Sequence, residues 1–389
     1  MVTRLKQAPW WLLLSVQFMT VATPLAMLPF LSLHVQRLSG VGGKDVAIWT
    51  ALIAAAPAIG AVLSTPIWAR SAATYPLGRL LSLSCLVNAV SAVLQAHASS
   101  VEIFALGRSL QGLTGIGILL LLGVDNSPTS AGKGYFGLQQ ALAAGCITGP
   151  LLGGLAFDHD AFPALLTGCA LSLAVLSVFC GFIVRAANPV TAKGQNTGFF
   201  IQLPSSGTRI LILSAMLATA GAFGFMPFFA SWAMERGGAV FTASLVGFIH
   251  AGSWAAAIVV LPLWGKGIDS GREIAAVKLS VAGSVAALLL LLTGSTVVWI
   301  SLWRMAHGAL NSGLSPSLFA RLGRSKHRIV DLAAGRMAVT LGQIIGPAIC
   351  GLAVSAAGND GALFAAALLT LLGATLLYLQ PEAQFHDGE

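Results

Sequence analysis

Apolar runs of about 20 residues, recurring along the chain and almost free of charge, leave few folds open. They cover roughly 10–36, 46–68, 80–97, 102–124, 135–157, 163–185, 209–234, 243–264, 274–293, 297–320, 331–357 and 361–380. Each matches the ~20 residues that cross a ~30 Å hydrocarbon layer as a helix. Only helices and closed barrels satisfy their backbone groups inside lipid, and runs without apolar–polar alternation do not make barrel strands. A soluble domain carries about 25% charged residues; here 9% are charged, 56% are hydrophobic and the mean hydropathy is +0.85. The reading is an all-α integral membrane protein of twelve transmembrane helices. The basic leader "MVTRLKQAPWW" precedes a run too long for a cleaved signal, with no small-residue cleavage pattern, so the first run reads as a retained helix.

The net charge is +8, and its placement argues against nucleic acid as a partner. With the N-terminus in the cytoplasm, inner loops and helix ends hold Arg4, Lys6, Arg70, Arg79, Lys133, Arg185, Lys193, Arg209, Lys266, Arg272, Lys278, Arg321, Arg324, Lys326 and Arg328. Outer positions hold only Arg37, Lys44 and Arg236. This positive-inside bias places both termini in the cytoplasm of a multi-pass protein of the cell (inner) membrane. The run "RLGRSKHR" (321–328) is then an inner loop against lipid head groups. The five cysteines (85, 146, 169, 180 and 350) lie within spans, show no CxxC spacing and read as small packing residues.

The two halves of the chain repeat each other. "TPIWAR" (65–70) and "LPLWGK" (261–266) stand 196 residues apart, as do "RSLQG" (108–112) and "RMAHG" (304–308). "GCITGPLLGG" (145–154) and "GQIIGPAICG" (342–351) stand 197 apart, and the two "PF" pairs at 29–30 and 227–228 stand 198 apart. A polar interval rich in Gly, Pro, Ser and Asn reads as a cytoplasmic linker, giving bundles at 1–187 and 209–389 joined by 188–208. Two six-helix repeats in the same orientation are a plan of secondary transporters, with solute held between repeats near the midplane.

On these motifs the chain resembles the major facilitator superfamily, and within it the drug:proton antiporter-like exporters. The helix 4 motif R-x-x-Q-G is intact as Arg108, Gln111 and Gly112. The helix 5 motif G-x(3)-G-P-x(2)-G-G, characteristic of exporters, is intact as Gly145, Gly149, Pro150, Gly153 and Gly154. The family loop motif G-x-L-A-D-R-x-G-R-[RK] is damaged after Trp68 and Arg70, with Ala73 at its Asp position. Its second copy keeps Gly265, Asp269, Gly271 and Arg272. The resemblance implies export of a small organic solute by alternating access, proton antiport and a monomer, with no cofactor.

Gly145, Gly149 and Gly153 form one bare stripe at i, i+4 and i+8, a face that lets two helix backbones touch. Pro150 frees a carbonyl one turn earlier and bends the helix. Gly342, Gly346, Pro347 and Gly351 repeat the device, and a kinked seam where the halves meet and slide is expected; static packing is the plainer reading. Arg108 and Arg304 are costly inside hydrocarbon and face a cavity or a partner. Arg108 shares a face with Gln111, and Arg304 with His307 and Asn311, so these stripes read as cavity lining or as structural hydrogen-bonding groups. His250 reads as a proton carrier or a satisfied core residue. None of the thirteen Asp and Glu residues lies mid-span; Glu102, Asp125 and Asp331 sit at helix ends. A cavity with Arg and His but no acid suits an anionic, zwitterionic or metal-chelating solute.

No GxxxxGK[ST], HExxH or GxSxG occurs, so neither an ATPase nor another enzyme is read here, and no metal site is expected. The leading reading is an exporter of a drug-like compound or a metallophore such as a siderophore. An importer of an anionic nutrient is the alternative in the same class. A non-transporting membrane sensor is the other, and it is expected to carry an appended soluble domain, against nine residues after 380.

Overall fold

The computed structural model describes residues 9–38, 44–72, 74–123, 131–183 and 206–380. The expected linker lies outside these residues except for 206–208, as do Arg4, Lys6, Ala73, Asp125, Arg185 and Lys193. Every apolar run is helical, in the order α1 (Trp10–Arg37), α2 (Asp45–Ala72), α3 (Leu77–Ala96), α4 (Val101–Gly112 and Ile116–Gly123), α5 (Ala131–Asp158) and α6 (Phe162–Ile183). The second six are α7 (Ser206–Gly237, through a 3₁₀ turn at Met226–Phe228), α8 (Ala243–Asp269), α9 (Glu273–Leu292), α10 (Val297–Asn311 and Leu314–Gly323), α11 (Arg328–Ala357) and α12 (Asp360–Tyr378). This is the all-α membrane architecture of twelve helices in two six-helix repeats. Its outer face is apolar: Leu63, Leu171, Val259 and Leu352 are 65–75% exposed, as side chains facing lipid are.

The repeat extends to the irregularities. α1 tightens into a 3₁₀ turn at Leu28–Phe30 and α7 at Met226–Phe228, each over a "PF" pair. α4 and α10 are each broken, at 113–115 and 312–313. A break leaves carbonyls without helical partners, costly in a membrane interior. Both breaks are met by the same pair of donors. Trp68 Nε1 donates to the Leu113 carbonyl at 2.7 Å, and Trp264 Nε1 to the Ala309 carbonyl at 3.1 Å. Ser84 Oγ donates to the Thr114 carbonyl at 2.5 Å, and Ser280 Oγ to the Leu310 carbonyl at 2.7 Å. All four donor and acceptor positions are 196 residues apart between the halves. Gly115 and Gly313 leave the space that the two indole rings fill.

By packing, the described residues form two compact units. One takes in the chain from 9 to 28, residue 38 and the chain from 56 to 183; the other takes in 29–37, 44–55 and 206–380. The division therefore passes through α1 and α2 rather than following the linker alone. The second unit holds these ends through small residues: a Cβ on Gly351 would come within 2.6 Å of Ala51 and 2.9 Å of the Ala47 carbonyl. Ser32 and Ser231 share a hydrogen bond of 2.9 Å in the same unit.

Candidate functional site

In the first unit, the buried Arg108 gives an N–H of Nη1 to Gln111 Oε1 at 2.6 Å, one turn along α4. Its Nε has no partner among the described residues. Gly112 follows because a Cβ there would strike the Pro57 carbonyl of α2. The motif R-x-x-Q-G thus combines a buried cation, its acceptor, and a close helix crossing.

In the second unit, α10 carries the counterpart in a richer setting. Arg304 is 1% exposed, and its two terminal nitrogens each lie 3.3 Å from an imidazole Nδ1, that of His307 and that of His250 on α8. Guanidinium N–H groups only donate, so both Nδ1 atoms accept and each ring carries its proton on Nε2. Phe225 and Phe229 of α7 place their rings 5.3 Å and 5.5 Å from the guanidinium carbon. Cation–π contacts of this kind contribute about 0.5–2 kcal/mol each, less than the several kcal/mol that desolvating a charge costs. Arg304 has no carboxylate partner among the described residues, and Arg304 Nε, His250 Nε2 and His307 Nε2 have no partner there either. Asp360, at the start of α12, is taken up by Trp232 Nε1 at 2.8 Å and by a two-pronged contact from Arg236. Asn311 is half-buried two turns beyond Arg304 and is not a partner of it.

The glycine stripes have different neighbours from those expected. A Cβ on Gly145 would come within 3.0 Å of the Phe18 carbonyl, and one on Gly149 within 2.6 Å of the Ala22 carbonyl; on Gly153 it would strike the Ala26 carbonyl. Stripe i, i+4, i+8 on α5 meets stripe i, i+4, i+8 on α1, and both belong to the first unit. In the second unit, Gly342 and Gly346 meet the carbonyls of Met216 and Ala220 on α7 in the same way. Gly145, Gly149, Gly153, Gly342 and Gly346 therefore sit against the first helix of their own repeat, not at a seam between the halves. The reason is that a bare stripe admits whichever backbone is near, and within a repeat that is the first helix. Gly351 departs from the pattern, facing Ala47 and Ala51 of α2. Gly154 is buried on α5, and α5 and α11 run unbroken through Pro150 and Pro347.

The loop motif has a structural logic of its own. Gly271 adopts φ +76° after α8, its N–H reaching the Ile268 carbonyl while that of Arg272 reaches Gly267. This paired closure ends a helix and needs glycine at the left-handed position. The turn delivers Glu273, 4% exposed, to an ion pair with Arg324 beyond α10. Sequence reasoning passed over this pair, as it did Ser84 and Ser280. Arg70, Asp269 and Arg272 are exposed, and Gly265 has open space where a Cβ would be.

No family model matches the sequence. Among curated proteins, it is 26% identical over 262 residues to the Staphyloferrin B transporter of Staphylococcus aureus (strain NCTC 8325 / PS 47), covering 64% of this chain and 62% of that protein. It is 24% identical over 377 residues to the uncharacterized MFS-type transporter YuxJ of Bacillus subtilis (strain 168), covering 93% and 95%. To the multidrug resistance protein MdtG of Salmonella choleraesuis (strain SC-B67) it is 25% identical over 364 residues, covering 89% and 88%. In fold it is similar to a mutant of the nucleoside transporter NupG, at TM-score 0.82 over 95% of this chain and 98% of that one, with 12% identity. In helix count, internal repeat and fold, and by these relatives, the chain is similar to membrane transporters of the major facilitator superfamily.

Proposed function

We propose that the protein is a secondary active transporter of the cell membrane that exports a small organic solute by alternating access, in exchange for a proton. The observation that carries this reading is the intact exporter-type stripe Gly145–Gly149–Pro150–Gly153, seated backbone to backbone on α1. Relatives named for staphyloferrin B and for multidrug resistance support a metallophore or a drug-like compound as the solute. Both termini face the cytoplasm in this reading, so the far ends of α1 and α2 face outward. There Ser32–Ser231 and Gly351–Ala47 form contacts suited to holding the outer side closed. Arg108, Gln111, Arg304, His307 and His250 are the solute and coupling residues, with Asn311 at the edge of that set.

Two measurements test this. Cells with and without the protein are loaded with a panel of labelled drug-like dyes and iron chelators, and the loss of each label is followed with and without a proton gradient. Faster loss of at least one label, abolished by collapsing the gradient, is expected; faster accumulation instead makes the protein an importer. A reporter joined after residue 389 is expected to be active only in the cytoplasm.

A further inference from the structure

We infer that the Arg304–His250–His307 cluster binds a carboxylate of the transported solute, an assignment that rests on the transporter reading above. The argument is a count of donors and acceptors. A guanidinium has five N–H groups and no acceptor. Two of Arg304's five are spent on the Nδ1 atoms of His307 and His250. That spending forces the proton of each ring onto Nε2, turning both histidines into donors as well. Arg304 Nε and the two Nε2 atoms are buried and unpartnered among the described residues. Buried polar groups in folded proteins are nearly always hydrogen-bonded, and exceptions call for an explanation.

The explanation has to supply acceptors and negative charge together. A carboxylate has two oxygens with about four acceptor sites and a flat shape that a guanidinium recognises two bonds at a time. The rings of Phe225 and Phe229 offer the cation only their faces, which hydrogen-bond acceptors on a solute surpass. Asp360 does not meet the need, since Trp232 and Arg236 occupy it. His250 makes the cluster specific to this half. Its repeat partner, 196 residues earlier, is Ala54, which brings no donor to Arg108.

Benzoate and benzamide separate charge from shape, because they share a ring and differ in the anionic oxygens. Full-length protein in detergent is titrated with each at equal ionic strength, and binding is followed by the shift in thermal unfolding. Benzoate is expected to raise the unfolding temperature and benzamide to leave it unchanged. His250→Ala, which installs the residue the other half already carries, is expected to weaken benzoate at least tenfold; Arg304→Gln is expected to abolish the shift. Equal shifts from benzoate and benzamide, or a benzoate shift unchanged in both variants, overturns the assignment. Efflux of any label in the cell assay with no benzoate binding leaves the transporter reading standing without this site. Benzoate binding lost in the variants, with no transport of any label, leaves the site standing and removes the transporter reading.

Discussion

Arg108 and Arg304 occupy the same place in two halves built on one plan, yet they keep different company. Arg108 has one neutral acceptor, Gln111, on its own helix. Arg304 has two imidazoles, one of them from α8, under two phenylalanine faces. The scaffold around them is the same: a glycine one turn beyond the arginine, Gly112 or Gly308, presses on α2 or α8, and a tryptophan and a serine close the break that follows. A repeated frame thus holds a cation with different partners in its two halves.

The largest expected effects come from the shared frame. Leucine at Gly149 or at Gly346 would have to push α1 or α7 away, since even a Cβ at either position crowds a backbone carbonyl. Overpacking of this sort costs about 1–3 kcal/mol or more. Gly149→Leu and Gly346→Leu are expected to insert in the membrane and to lose transport alike, measured as efflux per folded molecule. Near-normal efflux by either one reduces the stripe to filler and ends the equivalence of the halves on this point.

The next effects test the difference. Lysine keeps a positive charge but not the fork that reaches two acceptors at once. Arg304→Lys is expected to lower transport per folded molecule at least a hundredfold, because one ammonium cannot hold His250 and His307 in their present places. Arg108→Lys loses a single contact to Gln111 and is expected to cost about tenfold, near the 1.5–3 kcal/mol of a charged hydrogen bond at its lower end. Equal losses would mean that the imidazoles add nothing. A milder version replaces His307 by the residue its counterpart has. His307→Gln is expected to fold to normal abundance, since Arg–Gln at this spacing already exists at Arg108, and to retain a reduced rate of transport.

Much of the frame was legible in the sequence, for a physical reason: crossing lipid fixes the length and apolarity of every span, and duplication shows as a constant offset. The partners of those spans were not legible. A stripe such as Gly145–Gly149–Gly153 says that a backbone comes close but not which one. The face shared by Arg304 and His307 follows from helical spacing, whereas His250 lies 54 positions away on another helix, and no periodicity joins it to α10. Glu273 stands just outside the apolar run at 274–293, and only the Gly271 turn shows that it is folded inward. Ser84 and Ser280 were hidden by their ordinariness, since a serine in an apolar helix usually bonds its own preceding turn.

The smallest effects expected belong to the two tryptophans, and they ask whether the halves share energetics as well as geometry. Phenylalanine at 68 or 264 fills most of the space of the indole against Gly115 or Gly313 but cannot donate to the carbonyl at the break. The neighbouring serine serves the next carbonyl along, Thr114 or Leu310, and not the one the indole leaves. The lost hydrogen bond is worth about 0.5–1.5 kcal/mol, and for a bundle of this size 1 kcal/mol moves the unfolding temperature by about 2–4 °C. Trp68→Phe and Trp264→Phe should therefore each lower the unfolding temperature by a few degrees and by similar amounts, with transport retained. Adding Ser84→Ala to Trp68→Phe removes the second donor from the same break, and the loss should then exceed the sum of the single effects, because two adjacent carbonyls are bare together. If the double variant merely adds, each carbonyl finds relief independently, and the break in α4 is held by the packing of Gly115 on the ring rather than by its hydrogen bonds.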